Sequence, residues 1–289
     1  MKQERAGELF MLMFSVFEGW FPILTIMTLQ YITPIYAYAF TLLFTVLIFL
    51  SLLVIKGKVN EFAHREAYRD LFLSAFFITI MFACIYLGLA YTTASNMAVI
   101  IFMQLFFSFL YFNLFGKEPF ASIHLLGAVL MGIGGIVILF PEQLILNKGD
   151  LLVLVAAALA PIANQYQKKA RRRVSSETIL AFRSMVAIPI LLLLAYMLEP
   201  APELINLQNA LIFIAISGLF MMGLSKIFWV EAIYRISITK ASALAALIPV
   251  FTIIFAYFTL GETPTMTQLL GIIPVLGGGY LITRPQYNA

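Results

Sequence analysis

Glu18, Gln104, Asn164, Arg183 and Lys226 stand inside long apolar runs of this chain, where polar groups could bind a solute or move charge. An ionisable side chain at the centre of a bilayer costs from roughly 2.5 kcal/mol to above 10, so such groups face a protein interior or a wet cavity. Glu18 lies in the stretch Ser15-Val16-Phe17-Glu18-Gly19-Trp20-Phe21-Pro22. Residues three, four and seven positions apart share a helix face. For Glu18 these include Ser15, Pro22 and Thr25, a narrow polar stripe that points inward. Pro22 has no backbone N–H to offer the Glu18 carbonyl, which predicts a kink beside the charge. Three roles are open to Glu18: a proton-coupling group, an anchor for a cationic amine, or the structural partner of a buried Lys or Arg.

Gln104 falls near the depth of Glu18, on a face with Ile101, Ser108 and Tyr111. It lines a cavity or bonds a neighbouring helix, the latter worth about 0.6 kcal/mol in membranes. Arg183 lies six residues past Glu177, roughly 9 Å from its helix end, and Lys226 at a comparable depth. Each could snorkel to the surface, pair with Glu231, or face the cavity and hold a carboxylate or phosphate. The last option, with Glu18 deeper, suits a zwitterion, and makes Glu18–Lys226 pairing the less direct arrangement. Asn164 follows the bend expected at Pro161. Trp20 and Tyr86 are candidates for an aromatic wall, while His64 and His124 read as solvated loop-side residues. The single cysteine, Cys84, sits in an apolar run and reads as a small hydrophobe. No nucleophile and base stand at motif spacing and no Cys or His cluster could hold a metal, so neither an enzyme nor a cofactor is expected. The glycines at 132–135 and 277–279 follow no strand and precede no phosphate-binding Lys; they suit close helix packing.

These residues must be positioned by membrane helices. Of 289 residues 62% are hydrophobic and 11% charged, against roughly 25% charged in soluble domains. With about 20 apolar residues needed per span, ten spans are read, at 9–27, 34–55, 71–91, 95–115, 123–140, 151–167, 179–198, 211–233, 241–260 and 268–282. Threading them alternately puts fifteen of the eighteen Lys and Arg on the side of the N-terminus, Lys148 alone on the other, and Arg183 and Lys226 within spans. Lys and Arg accumulate on the cytoplasmic side, so both termini are expected there, and the basic charge marks topology instead of a nucleic-acid surface.

The chain also repeats. Gly149-Asp150-Leu151 echoes Gly7-Glu8-Leu9, and Gly116, Glu118, Gly127, Gly134 and Gly135 recur as Gly261, Glu262, Gly271, Gly278 and Gly279. Five spans per half force the second half to enter from the opposite side. The expected fold is therefore an all-α membrane protein, two inverted five-helix repeats, 1–145 and 146–289, around a central cavity.

The ten spans, the two halves, the link Gly261-Glu262-Thr263-Pro264 and the glycine-rich last span of each half resemble the drug/metabolite transporter superfamily, EamA type, over the whole chain. The first half departs from that pattern by Lys117 before Glu118, and by Glu18 where related chains commonly carry an aromatic or small residue. The resemblance implies that spans five and ten pack peripherally and that a small metabolite is moved, export being favoured over import. With the residues above, it gives the expected function: a secondary or facilitative transporter of a small polar metabolite, an amino acid or related zwitterion, working by alternating access. It would sit in a bacterial or archaeal inner membrane, with protons as candidate coupling ions. The alternatives are a carrier of organic cations such as quaternary amines, drawn by Glu18 and aromatic rings, and a non-transporting membrane sensor or scaffold.

Overall fold

The structure, a computed structural model, describes residues 2–115, 122–139 and 147–282, and every regular element among them is helical. The link 116–119, Arg284 and the boundary between the two expected halves lie outside the described residues. Lipid offers no partner to a backbone N–H or C=O, so apolar segments satisfy themselves as helices. Against ten expected spans, eight helical runs are long and apolar enough to cross a membrane: Gln3–Leu29, Pro34–Ile55, Arg65–Leu89, Ala94–Leu114, Lys148–Arg171, Ser176–Leu198, Leu204–Arg235 and Ile238–Leu260. The fifth and tenth expected spans coincide with shorter apolar helices, Ser122–Leu139 and Met266–Ile282. Large apolar side chains such as Ile55, Phe258 and Ile273 point outward, as a lipid-facing surface requires.

Several of these runs are interrupted near their middles. The first divides into α1 (Lys2–Glu18) and α2 (Phe21–Leu29), with a turn at Gly19 and Trp20. The break anticipated from Pro22 falls just before it, so Pro22 takes the start of α2, where its missing N–H costs nothing. Gly19 is needed at this turn because a Cβ would lie 2.8 Å from the Cβ of Phe251, and its carbonyl accepts from Thr252 Oγ1 at 3.1 Å. After the continuous α3 (Pro34–Ile55) and α4 (Tyr68–Leu89), the fourth run breaks at Met103 between α5 (Ala94–Phe102) and α6 (Gln104–Ser108). There follow α7 (Ser122–Leu139), α8 (Lys148–Arg171) and α9 (Ser176–Leu198). The next run passes from α10 (Leu204–Ile216) through a π-helical segment, Ser217–Leu224, to α11 (Ser225–Arg235). Then α12 (Ile238–Leu244) and α13 (Leu247–Leu260) part at Ala245 and Ala246, and α14 (Met266–Ile282) closes the order.

The helices pair as α3 with α9, α4 with α8, α1 with α11 and α7 with α14. The last pair is brought together by glycine, as the sequence leads one to expect: a Cβ on Gly134 would stand 2.7 Å from the Gly271 carbonyl oxygen. At one end of the bundle, carboxylates from the second half bind helix starts of the first. Glu199 accepts from the backbone N–H of Ile35 and Tyr36 at 2.9–3.1 Å, and Glu262 from Ala94 and Ser95 at 3.0 and 3.2 Å. Asp150 accepts from Thr92 and Asn96 at the same end. The other end is laced by ion pairs, Lys56–Glu177 at 2.5 Å, Arg171–Glu231 at 2.8 Å, Arg235–Glu231, and Lys240 with Glu4 and Glu8 at 2.6 and 2.7 Å.

Candidate functional site

The interrupted helices surround a cavity. Glu18 and Pro22 reach it from the α1–α2 junction, Gln104 from the first position of α6, Asn164 and Gln167 from α8, Arg183 from α9, and Lys226 and Trp229 from α11. Phe14, Phe21 and Phe82 supply apolar wall. About 70 Å³ is open to the centres of water-sized spheres. One water takes up ~10–15 Å³ on that measure, so the space matches on the order of five waters or one small solute.

Glu18 and Lys226 form a direct ion pair across the two halves, with Nζ 2.5 and 2.7 Å from the two carboxylate oxygens. Ser225 Oγ donates to the same carboxylate at 2.9 Å. The ammonium also lies 5.0–5.4 Å from the ring centroids of Phe14, Phe21 and Phe82, which favours a desolvated cation. Depth counted along straight spans makes this pairing the less direct one, yet the structure forms it. It occurs because α1, ending at the Gly19 turn, packs along α11, the helix that holds Lys226. The alternative partner, Glu231, is taken by Arg171 and Arg235.

Arg183 is 4% exposed, so it does not snorkel. Its Nη1 donates to Gln167 Oε1 at 3.3 Å, and among the described residues no carboxylate comes within ion-pair distance. A guanidinium carries five N–H donors in a planar fork, so most of this one's hydrogen-bonding capacity is left for whatever enters the cavity. Asn164, 3% exposed, accepts from Trp229 Nε1 at 2.9 Å, and Trp229 lies 4.9 Å from the Phe14 ring. With one carboxylate and two cationic side chains, the cavity has a formal excess of one positive charge.

Five of the seven residues singled out from the sequence therefore meet here. Trp20 and Tyr86 do not. Trp20 stacks on Phe255 with centroids 4.5 Å apart, because the Gly19 turn swings it toward α13. Tyr86 is 1% exposed and stacks on Tyr38 at 5.0 Å, edge-on to Phe21, and so sits in the core. Trp229, Phe14, Phe21 and Phe82 form the aromatic wall in their place. Ser15 and Thr25 also leave the polar stripe, bonding the carbonyls of Met11 and Phe21 one turn back in their own helices. His124 is buried and only His64 is exposed. Trp229 and Gln167 are additions to the site, and spacing carries their signal, since each follows a cavity residue, Lys226 or Asn164, by three positions on one helix face.

Residues 5–140 and 147–284 match a family profile described as the EamA-like transporter family. An uncharacterized transporter of Archaeoglobus fulgidus is 26% identical over 218 residues, 73% of this chain and 74% of that protein. The uncharacterized transporter YoaV of Bacillus subtilis is 27% identical over 135 residues, 47% of this chain and 46% of its own. A solved crystal structure superposes with a TM-score of 0.74 over 96% of this chain and 97% of that one, at 14% identity, a likeness of fold.

Proposed function

The chain belongs to the EamA-like transporter family, and from that premise we propose that it carries a small metabolite bearing a carboxylate, an amino acid or related zwitterion, across the cytoplasmic membrane. The observation that carries the reading is Arg183: buried, cavity-lining, with donors unspent and no carboxylate partner among the described residues. A guanidinium binds a carboxylate through two parallel hydrogen bonds. Gln104, Asn164 and Gln167 complete the polar lining. The organic-cation alternative loses its principal argument, since Lys226 already occupies Glu18 and the remaining charge is positive.

Movement follows the inverted-halves reading, with the two repeats rocking about the central site. Three features support it. The family profile matches the two halves separately. Two pairs of helix starts recur at similar offsets: Pro34 and Ser176 are 142 positions apart, Ser122 and Met266 144. The breaks at Met103 and at Ala245 to Ala246 recur at a like offset. The basic end, with both termini, is the cytoplasmic one in this reading.

Counterflow into proteoliposomes tests the proposal. Labelled small amino acids should exchange in the wild type, matched amines without a carboxylate should not, and Arg183→Gln should weaken half-saturation by roughly tenfold to a hundredfold, the worth of a charge-assisted hydrogen bond. Equal uptake of the amines, or an unchanged Arg183→Gln, overturns the assignment. Specific binding without counterflow under any gradient would instead favour the sensor.

A further inference from the structure

A second cleft opens at the basic end of the bundle, separate from the cavity, with about 240 Å³ open to water-sized centres. The helix α8 lines it with Gln165, Lys168 and Lys169, and Arg172 follows at the C-cap in helical conformation. Their spacing of three, four and seven places them on one face, turned away from Asn164 and Gln167. Ser237 and Thr239, at the α11–α12 junction, stand opposite.

The cations at that end divide into those with a carboxylate partner and those without. Lys56, Arg171, Arg173, Arg235 and Lys240 each pair with a carboxylate. Among the described residues that line the cleft there is no carboxylate, and its cations are Lys168, which has partners of its own, with Lys169 and Arg172. Lys168 Nζ donates to the Ile236 carbonyl at 2.5 Å, and Lys169 lies 5.3 Å from the Tyr166 ring. Lys169 and Arg172 are exposed and enter no ion pair among the described residues. A topology signal needs only that cations be present on one side. It does not need them gathered in a concave site with two hydroxyls.

We infer that this cleft binds the phosphate of an anionic phospholipid headgroup. Lys169 and Arg172 meet the phosphate oxygens, and the Ser237 and Thr239 hydroxyls donate to it. A membrane source is favoured over a soluble one by depth and lining. The membrane-length run of α8 ends at Arg171, and Phe112 and Ile238 give the cleft an apolar side on which acyl chain can rest. Basic pockets between transmembrane helices on the cytoplasmic side take lipid phosphates by these means.

The test uses the full chain in nanodiscs of phosphatidylcholine alone or mixed with phosphatidylglycerol, reading thermal unfolding and retention of a labelled phosphatidylglycerol. The comparison sets Lys169→Gln with Arg172→Gln against a charge-matched control, Arg65→Gln with Arg69→Gln, two exposed cations at the start of α4 and just before it. Phosphatidylglycerol should raise the unfolding temperature of the wild type and the control. The cleft variant should lose that shift and hold the lipid roughly tenfold or more weakly, from two cations each contributing to headgroup attraction. Inorganic phosphate added to phosphatidylcholine discs should give no shift. The inference is overturned by no response in the wild type, by an equal response in both double variants, which would mean diffuse surface charge, or by inorganic phosphate reproducing the shift, which would mean a soluble ligand.

Discussion

At the scale of single residues, the Glu18–Lys226 pair has a stability consequence distinct from binding. Breaking a buried ion pair by removing one partner costs about 3–5 kcal/mol, because the other charge stays buried alone, whereas replacing both by neutral groups of like shape is near neutral. Glu18→Gln should therefore lower thermal stability strongly, and Lys226→Met added to it should restore most of the loss. A double-mutant cycle on unfolding in detergent measures this, and additive losses would mean the pair is not coupled in the fold. Glu18, Arg183 and Lys226 were legible in the sequence because a charge in an apolar run is costly wherever it points. Their partnership was not: Glu18 and Lys226 are 208 residues apart. Depth counted along ideal helices cannot include a turn such as that at Gly19. The same turn accounts for Trp20, which it directs toward Phe255 of α13 while Glu18 meets Lys226.

At the scale of elements, α7 and α14 form a unit whose contact depends on absent side chains. Gly134→Leu should push the helices apart where the Gly271 carbonyl stands 2.7 Å from a built Cβ. Overpacking costs typically 1–3 kcal/mol, so lower thermal stability is expected, with substrate affinity in the surviving fraction unchanged, because neither helix supplies a lining residue to the cavity. A loss of affinity equal to that of Arg183→Gln would show that α7 and α14 shape the site after all. Glycine repetition announced close packing at both helices; that the two pack on each other came only with the structure. The interruption at Met103 has neither Pro nor Gly beside it, so no local residue type announced it; the π segment Ser217–Leu224 does contain Ser217-Gly218 and Gly223, and Pro249 stands just past the Ala245–Ala246 break.

At the scale of the whole molecule, the contacts at the two ends differ in chemistry. The end opposite the basic face depends on Glu199 and Glu262, each lent by the second half to a helix start of the first. Such a cap is worth about 0.5–2 kcal/mol. Replacing both with Ala should tilt the carrier toward opening at that end, and thiol labelling of Ile101→Cys, a cavity position, in a Cys84→Ser background should quicken by roughly tenfold. Unchanged labelling would mean that these carboxylates do not hold that end shut.

The unbalanced cation in the cavity also bears on kinetics. In the proposed mechanism an unloaded carrier passes through its closed form with the Arg183 guanidinium unpaired in a low-dielectric surround, while a loaded one passes through with that guanidinium paired to the substrate carboxylate. Loaded reorientation is then the faster step, and one-for-one swapping of solutes should outrun one-way emptying of a vesicle. Trans-stimulation, the speeding of efflux by unlabelled solute on the far side, reads this directly, and the advantage should vanish in Arg183→Gln, where the empty form has no charge to carry alone.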